Sequence, residues 1–389
     1  MGDVVTLKVA RRSGIAPFMV MDVVREANAR DRSARSATER VVHLEVGQPG
    51  TSAPQAVVEA AARALRSERL GYTETLGIPP LRERIAQHYR ERYGIHIAPE
   101  RVVVTTGSSG GFLLAFLAAF DHGDRVALAD PGYPAYRNIL TALGIMPVGL
   151  PTEAASRFQP TPAILDRAGQ IDGLIVASPA NPTGSMMSPD ELAEVAGWCR
   201  RQGVRLVSDE IYHGITYGVR EATALAYSDE AIVINSFSKY YAMTGWRLGW
   251  MVVPPDLVRA VEVLAQNLFI SAPTLPQLAA LAAFDARDEL DANVARYRAN
   301  RDLLLAELPK AGFDRFAPAD GAFYLYADVA HLTNDSEAFC RRMLAEAGVA
   351  ATPGIDFDPA RGRAYVRFSY AGTTDDMIEA TRRLRAWRR

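Results

Sequence analysis

The feature that most constrains this chain is an apolar strand that runs straight into a lysine. Ala231 to Ile234 are apolar, Asn235 closes the run, and Ser236-Phe237-Ser238-Lys239 follow at once. Arg247 comes shortly after, ahead of a second apolar stretch from Leu248 to Pro254. A lone lysine among apolar residues either snorkels its ammonium to water or loses its proton. In the second state its amine is a nucleophile for aldehydes. Ser236, Ser238 and Arg247 add hydroxyls and a fixed cation, the groups that a phosphate ester needs. A phosphorylated aldehyde bonded to lysine is a description of pyridoxal 5′-phosphate. The same residues also fit a plainer arrangement, a surface lysine and arginine flanking a strand.

The remaining bounds come from length and charge. A chain of 389 residues buries a large core, with two domains as the expectation. The net charge of −2, without basic blocks or an acidic tail, argues against nucleic acid or a membrane surface as the main partner. The arginine-rich end, Arg382 to Arg389, reads as the solvated face of a final helix. Cys199 and Cys340 lie in helical, apolar-periodic contexts and form neither a disulfide framework nor a metal spacing, which predicts a reducing compartment. No signal-peptide pattern opens the chain and no apolar run reaches membrane-spanning length. A cytoplasmic protein without a metal site is expected.

Several other stretches carry chemistry in order along the chain. Leu44 to Gly50 ends a short strand in a turn containing Gly47, and Tyr72 sits among turn residues after a helix over about 54–67. The strand Val102 to Thr106 breaks into Gly107-Ser108-Ser109-Gly110-Gly111 before an apolar helix from Phe112 to Phe120. Strand, glycine turn and helix offer bare N–H groups and a positive helix end to a phosphate, and the spacing is not the dinucleotide pattern. Tyr133, held between Pro131-Gly132 and Pro134, presents a ring face rigid enough to stack on a flat ligand, or serves as a core tyrosine in a rigid turn. Asn181-Pro182-Thr183-Gly184 is a turn by composition, and Ser188-Pro189-Asp190-Glu191 opens a capped helix that Gly203 closes. Asp209 ends the apolar strand that starts at Val204, with Tyr212 three residues on. It suits a protonated pyridine nitrogen, or a local cap. His213 reads as a satisfied pocket-wall histidine. Alternating strands and helices over about 100–255 predict a mostly parallel sheet covered on both faces, with candidate residues at strand ends.

The run from Asn235 to Trp250 resembles the lysine signature of the pyridoxal-phosphate-dependent aminotransferases, in the group that includes aspartate aminotransferase. Matching motifs extend in the family's order from Gly47 to Arg367. The resemblance implies an α/β protein of fold type I, its mostly parallel sheet sandwiched by helices in a large domain (48–285). A smaller α+β domain would combine 1–47 with 286–389. It implies that Lys239 binds the cofactor as an aldimine and shuttles the substrate α-proton, with Asp209 at the pyridine nitrogen and Tyr212 and Asn181 at the ring 3′-oxygen. Ser108, Ser109, Ser236, Ser238 and Arg247 would hold the phosphate, and Tyr133 would stack on the ring. Tyr72 would reach the phosphate of the partner subunit in a homodimer. Gly47, Asn181 and Arg367 would bind the substrate, with Arg367 gripping its α-carboxylate and Gly47 beside it. The activity implied is ping-pong amino transfer between an L-amino acid and a 2-oxo acid. A β-lyase on the same scaffold or a non-catalytic regulator are the alternatives. No motif places the residue that reads the substrate side chain. Arg11, Arg12 and Arg137 are candidates for a second cation by position alone.

Overall fold

The computed structural model describes residues 7–34, 36 and 39–387. It opens with helix α1 (Met19–Ser33) and a short strand β1 (Val42–His43), followed by helices α2 (Gln55–Ser67) and α3 (Pro79–Tyr93). A seven-stranded sheet is then built from β2 (Val102–Thr105), β3 (Arg125–Asp130), β4 (Met146–Pro151), β5 (Gly173–Ala177), β6 (Arg205–Asp209), β7 (Ile232–Ser236) and β8 (Gly249–Val252). Its order is β2-β8-β7-β6-β5-β3-β4, parallel throughout except that β8 runs against both neighbours. The predicted parallel sheet is therefore present, with one reversed strand.

Side chains of these strands alternate between two cores, as a period of two dictates. Val103, Leu128, Ile175, Val207, Ile234 and Met251 pack with helix α4 (Gly107–Ala119), helix α5 (Pro134–Leu143) and the helix Pro255–Leu268. Val104, Leu174, Val176, Leu206, Val233 and Trp250 face the other way, onto α3 and the helix Pro189–Gln202. That last helix starts as expected: the Ser188 hydroxyl accepts from the Glu191 N–H, the Glu191 carboxylate accepts from the Ser188 N–H, and Gly203 ends it in the left-handed region at φ 68°.

After the long helix Arg287–Glu307, β9 (Tyr324–Asp328), β11 (Thr352–Pro353) and β12 (Tyr365–Ser369) form a second sheet, while the short β10 (Val349–Ala350) pairs with β1 alone. β12 is central and antiparallel to β11 and β9, and it pairs Arg367 with Thr352 on one side and Tyr326 on the other. Among the described residues no helix is long and apolar enough to cross a membrane. Cys199 and Cys340 are buried and unbridged. The final helix is Thr374–Ala386, and Arg388 and Arg389 of the arginine-rich end lie outside the described residues.

One boundary differs from the sequence reading. Helix α4 begins at Gly107 rather than Phe112, so the glycine-serine run is the first turn of the helix instead of a loop before it. Burial of Gly110 and Gly111 against the sheet outweighs their poor helix propensity.

Candidate active site

A cavity of about 210 Å³ opens at the carboxyl ends of β5, β6 and β7. It is lined by Gly47, Ser108, Ser109, Tyr133, Asn181, Asp209, Tyr212, Ser238, Lys239, Arg247 and Arg367, which brings most of the sequence candidates together. Lys239 stands in the turn beyond β7, half-buried, and its Nζ donates to the Gly47 carbonyl at 2.6 Å. Burial pushes its pKa down to about 8. The Arg367 and Arg247 cations act in the same direction, and Asp209 opposes them. A useful share of this lysine is therefore neutral near physiological pH.

Asp209 closes β6 and is buried. Its Oδ1 accepts from the Ile211 N–H at 3.1 Å and its Oδ2 accepts a short hydrogen bond from the Tyr136 hydroxyl. Burial pushes its pKa up to about 6, with the Tyr136 and Ile211 bonds holding it from rising further. A buried carboxylate in this condition gains from a cationic partner. Tyr212 shares a 2.6 Å hydrogen bond with the hydroxyl of Tyr324.

The other polar end of the cavity is suited to an anion. Helix α4 starts there without a side-chain cap, so its first N–H groups and the Ser108 and Ser109 side chains are available. Arg247, in the left-handed region at φ 54°, donates from Nη1 to the Thr244 carbonyl. A Cβ on Gly107, whose φ is 71°, would come within 2.6 Å of the Arg247 guanidinium. Ser236 lies behind this rim, its hydroxyl donating to Ser238 Oγ at 2.9 Å, and does not line the cavity. A hydroxyl- and guanidinium-bearing rim, a buried carboxylate and an amine of lowered pKa in one cavity match the phosphate, ring nitrogen and aldehyde of pyridoxal phosphate. The donor set fits that cofactor.

Arg367 is buried, not solvated. Its Nη1 donates to Asn181 Oδ1 at 2.7 Å, and its Nη2 donates to the Glu45 carbonyl at 2.6 Å and to Thr352 Oγ1 at 3.2 Å. The guanidinium lies 4.4 Å from the Tyr324 ring centre and 4.8 Å from that of Phe357, and Nε has no hydrogen-bond partner among the described residues. Gly47 is needed by contact: a methyl there would fall on the Tyr324 hydroxyl and ring. Phe18, Val20 and Met21 from the start of α1 form an apolar stretch of wall together with Val46, and Gln48 and Thr244 also line the cavity. Phe18 sets its edge against Tyr133, ring centres 5.6 Å apart.

The positional candidates for a second cation are elsewhere. Arg137 pairs with Asp130 at 3.4 Å, while Arg11 and Arg12 are exposed in a short turn. Among the described residues the cavity's cationic side chains are Lys239, Arg247 and Arg367. Tyr72 is 83 % exposed and outside the cavity. His213 is satisfied as expected, by the Tyr93 hydroxyl at 2.6 Å and the Ser178 carbonyl at 3.0 Å, but it stands behind the wall instead of on it. Sequence reasoning missed Tyr136, Tyr324 and the α1 residues. Tyr136 follows Tyr133 by one helical turn, a signal that was there to be used. Nothing local marks the others.

Residues 39–384 match the family model described as aminotransferase class I and II. The chain is 54% identical to a valine–pyruvate aminotransferase of Mycobacterium tuberculosis, over 98% of this chain and 99% of that one. Its fold superposes with a TM-score of 0.96 on a crystal structure of an aminotransferase from the same organism, at 53% identity and covering 98% and 99% of the two chains. An aspartate aminotransferase from Thermus thermophilus, solved with maleate, gives a TM-score of 0.92 at 31% identity, covering 98% of this chain and 100% of that one.

Proposed function

The chain belongs to the class I and II aminotransferases, and from that premise we propose that it moves the amino group of a small apolar amino acid, valine being the type, onto pyruvate. The family transfers amino groups between amino acids and 2-oxo acids with pyridoxal phosphate as cofactor. The apolar wall of Phe18, Val20, Met21 and Val46 carries the choice of substrate. With Lys239 and Arg247 given to the cofactor and Arg367 to the α-carboxylate, no cation among the described residues of this cavity is left for a side-chain carboxylate. The name of the Mycobacterium tuberculosis relative supports the same choice.

The phosphate is assigned to Ser108, Ser109, Ser238 and Arg247, with Ser236 steadying Ser238. Tyr133 supplies the stacking face, and Asn181 and Tyr212 the contacts to the ring 3′-oxygen. Asp209 would pair with a protonated ring nitrogen, which would also relieve the cost of its own burial. When bound, the cofactor supplies an electron sink for the pair left as the substrate Cα–H bond breaks. Lys239, freed as amine, takes the proton from Cα of the donor and in the reverse half-reaction delivers one to Cα of the product. Arg367 would receive the α-carboxylate and so orient the substrate within the cavity. Gly47 leaves the room that this pose requires.

A homodimer is part of the reading, with Tyr72 reaching the partner's cofactor phosphate. The Thr274 hydroxyl bonds the Gly71 carbonyl and the Thr73 N–H bonds Ser271, which ties two segments bearing exposed Leu70, Tyr72, Leu268 and Ile270 into one surface. A patch of this kind supports association. The seven-stranded sheet supports a large unit at 48–285, the three-stranded sheet and the β1–β10 pair support a small one from 1–47 and 286–389, and the unbridged cysteines support a cytoplasmic setting. The test is an amino-donor comparison with pyruvate as acceptor. Valine should yield alanine stoichiometrically and outrun aspartate; release of free ammonia, or a preference for aspartate, would overturn the reading.

A further inference from the structure

The start of α1 carries three of the apolar wall residues, yet Phe18 at its N-cap offers no side-chain acceptor. The first N–H groups of a helix have no partner inside it. Here they are met by a residue far along the chain: Asp356 accepts from the Met19 N–H with Oδ1 and from the Val20 N–H with Oδ2, each at 3.2 Å. Asp356 is 6% exposed, in the turn that leaves β11.

The same short segment serves the other half of substrate recognition. Thr352, in β11, lies opposite Arg367 in the ladder. Its hydroxyl accepts from Arg367 Nη2 and donates to the Glu45 carbonyl, which is itself an acceptor for Arg367. Three residues of chain therefore separate the group that steadies the carboxylate grip from the group that fixes the apolar wall. The far end of α1 is secured separately: Arg30 donates to the Leu344 and Ala345 carbonyls, and Asp31 bonds the Val41 N–H and His43. Losing the Asp356 carboxylate would loosen the first turn of α1 and leave the rest of the helix attached.

Resting on the apolar-wall reading above, we propose that Asp356 is a positioning residue for substrate side-chain selectivity: by capping α1 it holds Phe18, Val20 and Met21 in register with the Arg367 carboxylate grip. A side-chain subsite discriminates only while its wall is fixed relative to the anchor, and this carboxylate joins the two.

The test uses two ligands that lack an amino group and cannot react, 3-methylbutanoate and acetate. Each offers Arg367 a carboxylate, and only the first has valine's side chain. Their dissociation constants are measured on the cofactor-loaded protein by calorimetry. Wild type should favour 3-methylbutanoate by about tenfold or more, from the added apolar area. Asp356→Ala should cut that preference by about fivefold, the usual size of a lost helix cap, while acetate stays within about twofold of wild type. Asp356→Asn, which keeps one acceptor, should fall between, and it decides the matter if the alanine variant does not fold. An unchanged preference in the variants overturns the proposal, as does an equal loss for both ligands. Absence of any preference in wild type overturns instead the apolar-wall reading beneath it.

Discussion

Lys239 should titrate far below an ordinary lysine in the cofactor-free protein. Burial, reinforced by Arg367 and Arg247, brings its pKa to about 8, against a usual 10.5. At pH 7.4 that leaves roughly a fifth of it neutral, whereas an ordinary lysine is about 0.1% neutral. The sign is fixed by the charge type: a depressed ammonium loses its proton as pH rises through the folded-state value, so reactivity climbs around pH 8 and is already flat at pH 10. Trace acylation with acetic anhydride, read by mass spectrometry across pH 6–11, follows it directly. Lys8 and Lys310 are the chain's other lysines, so the peptide bearing Lys239 is resolved from theirs by mass. Two variants separate the causes. Arg367→Leu removes a neighbouring cation and should move the Lys239 midpoint up. Asp209→Asn removes the opposing carboxylate and should move it down. A wild-type midpoint above pH 10, or variants shifting in the reverse sense, would refute the account of how this cavity activates its lysine.

Three further outcomes follow from the same geometry. Asp209→Asn should keep the cofactor bound but slow single-turnover amino transfer by at least ~10²-fold, the scale of one strong electrostatic contact in a closed site; near-normal turnover would leave Asp209 as a local cap on Ile211. Arg367→Lys should weaken amino-acid and 2-oxo-acid binding together, because lysine keeps the charge without the fork, and Arg367→Ala should cost more, roughly 2–5 kcal/mol. Decarboxylated amines should be indifferent to both changes, and equal losses for amine and amino acid would make Arg367 a structural residue. Gly47→Ala should displace the Tyr324 ring, destabilising the protein by about 1–3 kcal/mol in denaturant titrations, and Tyr324→Ala in the same chain should recover part of that.

Much of the site was legible because its residues follow apolar strands in sequence. An unpaired charge at the end of a buried strand is costly wherever it occurs, so Asp209 after Val204–Ser208 and Lys239 after Ala231–Asn235 marked themselves as groups awaiting a partner. The alternation of such strands with helices likewise announced a parallel sheet, since each element's period is written in its own residues. The start of α4 was misplaced for a complementary reason: glycine propensity is a local signal, and burial against the sheet overrode it.

What only the tertiary structure decided is how distant segments meet. Arg367 was singled out by the resemblance alone, and only the fold brings Asn181, the Glu45 carbonyl and Thr352 around it. Gly47 became obligatory through a contact with Tyr324, and α1 gained its cap from Asp356, 337 residues away. Val20 and Met21 line the cavity from the first turn of that helix, whose own sequence shows only that one face is apolar. A local pattern records which surfaces must be buried, because burial energy depends on residue type and spacing. It does not record against what, because that depends on packing among elements that the chain places far apart.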